Sequence, residues 1–132
     1  MAMFGALATS SSGLHVYRTW MDAISDNIAN ISDVSPTSGP AFRERFVVAQ
    51  AGGNGLGDGA RVAGVQFGSG TGRLVYEPGN PQADANGLVK YPDVDLGSQM
   101  TQLLMAQRGY EANLAVVDRA RDAYLQALSI GK

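Results

Sequence analysis

A chain of 132 residues is expected to form one folding unit with at most a small inserted subdomain, which excludes a large two-domain enzyme. At 45% hydrophobic and 17% charged it is too apolar for wholesale disorder, and ten Lys plus Arg against twelve Asp plus Glu (net −2), with no basic cluster, argue against a nucleic-acid partner. The lack of Cys removes disulfides, thiolate nucleophiles and Cys-based metal sites together, while leaving the redox compartment open. The first basic residue is Arg18, so no cleaved secretory signal is expected, and no apolar run reaches the roughly 18 residues of a membrane span.

From Leu7, apolar residues fall at Leu14, Met21 and Ile28, with Tyr17, Ile24 and Ile31 between them, giving steps of three and four. That is a heptad seam, and it predicts a helix from Leu7 to Ile31 with Arg18, Asp22 and Asp26 on its polar side. Ser10 interrupts the seam, and Pro36, Gly39 and Pro40 end the pattern.

Short β-like runs follow at Phe42–Ala49, Arg61–Phe67, Arg73–Tyr76 and Leu88–Tyr91. Nine glycines among residues 52–72 predict a flexible loop or wide hairpin. A segment of this size is too small for a comfortable core of its own and must lean on the helices or on neighbours.

A second helix is expected after Asp95, a candidate N-cap, with Leu96, Leu103, Tyr110, Val117 and Tyr124 spaced by seven. Met100, Leu114 and Leu128 widen this stripe, Ala106, Ala120 and Ala127 allow a close backbone approach, and Gly131 is placed to end the helix. The fold class is therefore α+β: long terminal helices packed as a coiled-coil-like pair around a small β-rich insert. The expected divisions are 1–35, 36–93 and 94–132. Two long apolar stripes exceed what the insert can cover, and each buried Leu or Ile is worth about 1.5–3 kcal/mol, so the stripes must pair with each other, with other subunits, or both.

Three motifs then carry a family resemblance. Ser12-Gly13-Leu14, followed by Met21-Asp22-Ala23-Ile24-Ser25-Asp26-Asn27-Ile28-Ala29-Asn30, resembles the N-terminal signature of the flagellar rod and hook axial proteins. The segment from Tyr76-Glu77-Pro78-Gly79-Asn80-Pro81 through Gly87-Leu88-Val89-Lys90-Tyr91-Pro92 resembles that of the FlgC-type proximal rod class. Arg108-Gly109-Tyr110-Glu111-Ala112-Asn113 resembles the R-x-Y-E-A-N motif of the C-terminal axial helix. The resemblance covers most of the chain, departing from the family at Ile31–Pro36 and in the 52–72 insert.

The resemblance implies a torque-transmitting structural subunit of the proximal rod, with no enzymatic chemistry and no cofactor. Its terminal helices would line a helical assembly, with the small β domain outside. The implied partners are copies of the chain, other rod proteins, MS-ring or adaptor proteins and the flagellar type III export apparatus, which reads an uncleaved N-terminal segment. No small-molecule substrate is implied. The residues assigned to subunit contacts are Leu14, Tyr17, Met21, Ile24 and Ile28 on the first helix, with Asn27 and Asn30 as its polar members. On the last helix they are Leu103, Tyr110, Leu114, Val117 and Tyr124, with Glu111 and Asn113.

Other chemistry reads as bland. Gly55–Ala60 satisfies the G-x-G-x-x-G/A dinucleotide pattern, but a strand-like run follows where a phosphate-binding helix is needed. His15, the sole histidine, reads as a polar helix-face residue, and Asp93 and Asp95 as helix-start charges rather than a catalytic pair. Asn113 beside the seam would fix packing register. Asn27 and Asn30 either cap the first helix or bond to a neighbouring chain, and Trp20 is either a seam edge or an interface anchor. The rival functional readings are a soluble helical adaptor forming a closed coiled-coil oligomer and a small nucleotide-binding enzyme.

Overall fold

The computed structural model describes residues 2–53 and 58–130. Its elements run α1 (Ala2–Ala29), β1 (Arg45–Ala51), β2 (Ala60–Phe67), β3 (Arg73–Tyr76), β4 (Leu88–Tyr91) and α2 (Leu96–Ile130). The α+β class is as expected, and the strands form two two-stranded sheets, β1 with β2 and β3 with β4. Residues Gly55–Gly57 of the dinucleotide-like pattern and the helix-ending Gly131 lie outside the described residues; β2, not a helix, follows the pattern.

Both helices end by local hydrogen bonding. At the C-terminus of α1, Asn30 donates from both its backbone N and its Nδ2 to the Asp26 carbonyl, at 3.1 and 2.7 Å, so the helix closes at Ala29 instead of reaching Ile31. Its side chain thus satisfies a terminal carbonyl. Asp95 caps α2: its Oδ2 accepts from Ser98 N at 2.6 Å while its carbonyl accepts from Gln99 N at 3.0 Å.

The chain divides into two compact units, with the division falling inside α1, β1, β2 and α2. The first comprises Met1–Met21, Val47–Gly64 and Leu104–Lys132; the second comprises Asp22–Phe46 and Val65–Leu103. Their interiors differ in kind. The second unit holds Ala23, Ile24, Ala41, Val89 and Pro92 buried, together with Asn27 and Gln99. Among the described residues of the first, only Ser10 and Ala106 are buried, both small.

The β3–β4 hairpin of the second unit is antiparallel, pairing Arg73 with Tyr91, Leu74 with Lys90, Val75 with Val89 and Tyr76 with Leu88. The segment after α1, where the sequence departs from the family pattern, docks on this hairpin. Ser35 and Lys90 exchange both backbone hydrogen bonds at 2.9 Å, and Lys90 Nζ donates to the carbonyls of Thr37 and Gly39. Tyr91 donates its hydroxyl to Glu77 Oε1 at 2.8 Å, and that bond raises the phenol's pKa above its ordinary value.

The turn that closes the hairpin is built on Asp84. Its Oδ1 accepts from Asn86 N at 2.8 Å and Leu88 N at 3.0 Å, and its Oδ2 accepts from the Thr37 hydroxyl at 3.0 Å. Gly87 completes the turn with φ of +74°, where a Cβ would meet the Tyr76 ring and Pro78. The Leu88 amide chiefly holds the Asp84 carboxyl below the ordinary aspartate range. A depressed folded-state pKa contributes stability above the unfolded value that is lost as pH falls through the folded one. Stability should therefore drop on acidification below about pH 4. Asp84→Asn keeps the Oδ1 acceptor and lets Thr37 turn to accept, so it should be near neutral at pH 7 and flatten that acid-side decline. Urea midpoints at pH 7, 5 and 3 check this; equal acid sensitivity in both proteins would contradict it.

Candidate subunit interface

In the first unit the two helices meet through glycines. A Cβ built on Gly13 would lie 2.9 Å from Asn113 Oδ1, and one built on Gly109 would lie 2.4 Å from Cε1 and Cζ of the Tyr17 ring. Each helix thus opens a notch for a side chain of the other. Since Gly13 precedes Tyr17 while its partner Asn113 follows Gly109, the helices run antiparallel there. Asn113 donates Nδ2 to the Gly109 carbonyl at 2.9 Å, one turn back on its own helix, which leaves Oδ1 facing Gly13. Gly13 belongs to the first motif, and Gly109 and Asn113 to the third.

Ser12, beside Gly13, joins α1 to the start of β2. Its Oγ donates to the Thr9 carbonyl at 2.6 Å and accepts from Ala60 N at 2.9 Å. Tyr17 stacks on Trp20 with ring centroids 6.2 Å apart. With Val16 they form one wall of an apolar groove of about 260 Å³, whose other wall is Val47 and Ala49 of β1. Trp20 is half-buried and lines this groove.

The expected contact residues fall into three groups. Ile24 and Asn27 are interior residues of the second unit, each 1% exposed. Leu14, Tyr17, Met21, Ile28, Asn30, Leu103, Tyr110, Asn113 and Val117 are half-buried. Glu111 is exposed, as are Leu114 at 42% and Tyr124 at 44%. Of the polar members, Asn30 caps α1, while Asn27 bonds to Gln99 and to the backbone of Arg45.

Most of the exposed large apolar side chains among the described residues lie on α2. Met100, Leu114 and Leu128, fourteen residues apart and so two heptads from one another, are all exposed, and Leu104 and Leu125 flank them. From Arg121 to Ile130 every residue is exposed. The ring of Tyr124 packs edge-on against Phe4, centroids 6.5 Å apart. Periodicity identified the stripe, but it could not separate the part spent inside the chain from the part left open.

The electrostatic features are modest. Glu44 accepts from Gln99 Nε2, and its pKa is raised, first by burial and further by Asp93 and Asp95. Arg45 pairs with Asp26 and lies over the Phe42 ring, while Arg43 lies over Phe67. No group of three or more His, Cys, Asp or Glu able to hold a metal occurs among the described residues, and His15 is an exposed helix residue.

Residues 85–130 match the family described as flagellar basal body rod FlgEFG protein C-terminal, a span that takes in β4 and α2. Over its whole length the chain is 36% identical to the flagellar basal-body rod protein FlgC of Salmonella typhimurium, covering all of that protein. It is 32% identical to the protein of that name from Borreliella burgdorferi, over 98% of each chain, and 29% identical to that of Bacillus subtilis over the full length of both. With identity above 30% sustained end to end, the chain belongs to the FlgC family of flagellar basal-body rod proteins.

Proposed function

We infer that the chain is a structural subunit of the flagellar basal-body rod, and that it assembles through its terminal helices by packing alone, without catalytic chemistry. The observation that carries the assembly mode is the exposed apolar surface of α2 in the first unit: Leu114, Leu128 and the exposed turns from Arg121 to Ile130. An isolated helical segment of that length is marginal in water, and its apolar side chains gain about 1.5–3 kcal/mol each on full burial. The thin interior of the first unit points the same way, since neighbouring subunits would supply what Ser10 and Ala106 do not.

In the finer reading the chain is a proximal rod subunit that passes torque from the motor toward the hook. Successive copies related by an open screw operation make heterologous contacts, which build a filament instead of a ring. Residues 36–93 form the β-rich part on the outside of that assembly, and residues 1–35 and 94–132 its axial helices. Leu14, Tyr17, Met21 and Ile28 on α1, with Leu103, Tyr110, Leu114, Val117 and Tyr124 on α2, supply apolar contact area, and Glu111 and Asn113 its polar points. The partners are copies of the chain, other rod proteins and the MS-ring or adaptor proteins, reached by way of the flagellar type III export apparatus. Among the described residues no helix is long and apolar enough to cross a membrane.

The double variant L114E/L128E tests this reading. Both positions are about half open, so the free chain should lose no more than about 1 kcal/mol of stability. In the source organism the variant should be missing from purified basal bodies and the cells non-motile, while the unaltered chain is found there only when the export apparatus is intact. Incorporation of the variant at the normal level would sink the assembly mode. Absence of the unaltered chain from well-formed basal bodies, with closed oligomers in the cytosol, would replace the rod reading with an adaptor.

A further inference from the structure

We propose that Asn27, Gln99 and Glu44 form a directional hydrogen-bond relay that locks α1, α2 and the start of β1 into a single register within the second unit. Asn27 uses its whole side-chain amide. Its Oδ1 accepts from Arg45 N at 2.8 Å, and its Nδ2 donates to the Arg45 carbonyl and to Gln99 Oε1, both at 3.0 Å. Toward Arg45 the amide behaves as the peptide group of a neighbouring strand would, satisfying the donor and the acceptor of one residue at once. Gln99 is thereby oriented, Oε1 toward Asn27 and Nε2 toward Glu44, where a carboxylate can only accept.

The relay has one polarity, running from donor at Asn27 to acceptor at Glu44. Asn27 and Gln99 are each 1% exposed, so water offers no substitute partner, and no described buried side-chain N or O atom lacks a hydrogen bond. A slip of one residue turns a helical side chain by about 100°, out of reach of its partners. A slip of one heptad would set Trp20 or Val34 in place of Asn27, or Pro92 or Ala106 in place of Gln99, and none of these can complete the relay. The apolar seam tolerates such slips because its residues repeat; the amides do not. A single polar position in a helical seam specifies register in this way at some cost in stability.

Polarity makes the relay testable by inversion in the full-length chain. Asn27→Asp replaces two N–H donors by at most one O–H, so at least one of the Arg45 carbonyl and Gln99 Oε1 is left without a partner. If Gln99 turns its amide to meet the new carboxylate, its Oε1 then faces Glu44, another acceptor. An unmet group in this interior should raise the unfolding equilibrium constant by about fivefold to a hundredfold. Adding Glu44→Gln supplies a donor at position 44, so that the turned Gln99 is satisfied at both ends, and about tenfold of the loss should return. Glu44→Gln alone should be near neutral, since its Oε1 still accepts from Gln99.

The control is N27D/E44A, which removes the same charge but supplies no donor and should not recover. Denaturant unfolding of the five proteins reads all of this. If N27D alone does not fold, cooperative unfolding regained in N27D/E44Q and not in N27D/E44A supports the relay equally well. Additive losses in N27D/E44Q, its failure to fold, or equal recovery with E44A would each overturn the relay. Because every measurement is made on the free chain, these outcomes stand apart from the fate of the assembly reading.

Discussion

Ile24→Ala should lower the stability of the free chain by about 2–4 kcal/mol, read as a fall in the urea midpoint at unchanged slope. Ile24 is among the largest fully buried side chains, in a unit whose other buried apolar residues are Val89, Ala41, Ala23 and Pro92. Loss of three methyl or methylene groups there costs their transfer free energy and leaves a cavity that small neighbours fill poorly. The comparison is Leu114→Ala on α2, an equally apolar position that stays about half open and should cost under about 1 kcal/mol. Equal losses at the two sites would show that the second unit does not hold the core.

Gly109→Ala should destabilise although it improves the helix. In an open helix interior, Gly to Ala gains about 0.8–1 kcal/mol, and Gly5 in α1, where a new Cβ meets nothing within 4 Å, should show that gain. At Gly109 the Cβ would come within 2.4 Å of the Tyr17 ring carbons, too close for any real contact. The ring is itself stacked on Trp20 and cannot swing freely toward it. Overpacking of this kind costs about 1–3 kcal/mol and outweighs the propensity gain. Opposite signs for Gly5→Ala and Gly109→Ala in thermal unfolding would establish the notch. A stabilised Gly109→Ala would mean that the helices do not approach there.

The elements were legible where local chemistry decided them. Leu88–Tyr91 and Arg73–Tyr76 match expectation to the residue because Gly72, Pro78 and Gly87 fence them in, and Asp95 announced the start of α2. The edges that moved did so under distant influence. β1 begins at Arg45 instead of Phe42: Asn27, eighteen residues earlier, takes both backbone groups of Arg45, and Ala41 N donates to the Gly70 carbonyl. At its N-terminus α1 extends five residues beyond the first seam residue, to Ala2, where Phe4 meets Tyr124 across 120 positions of sequence.

Long-range polar pairing was the hidden layer. Asn27 was readable as a cap or as a contact for another chain, but its partnership with Gln99 spans 72 residues and leaves no periodic trace. Glu44, which closes the relay, carried no signal in the sequence. Gly109 was visible inside a motif, yet only the ring of Tyr17 against it explains why the position lacks a side chain. Heptad spacing likewise gives the apolar face of α2 without saying which residues are spent internally.

The bare turns from Arg121 to Ile130 tie this segment's conformation to mass action. A helix end this exposed is stabilised by anything that binds its folded form, so its helix content would rise with occupancy. In the assembly proposed above, each docking neighbour stabilises the folded segment by the same free energy with which the folded segment favours docking. Growth of that assembly and ordering of the segment would then be one equilibrium, and helix content measured against concentration would be a binding isotherm.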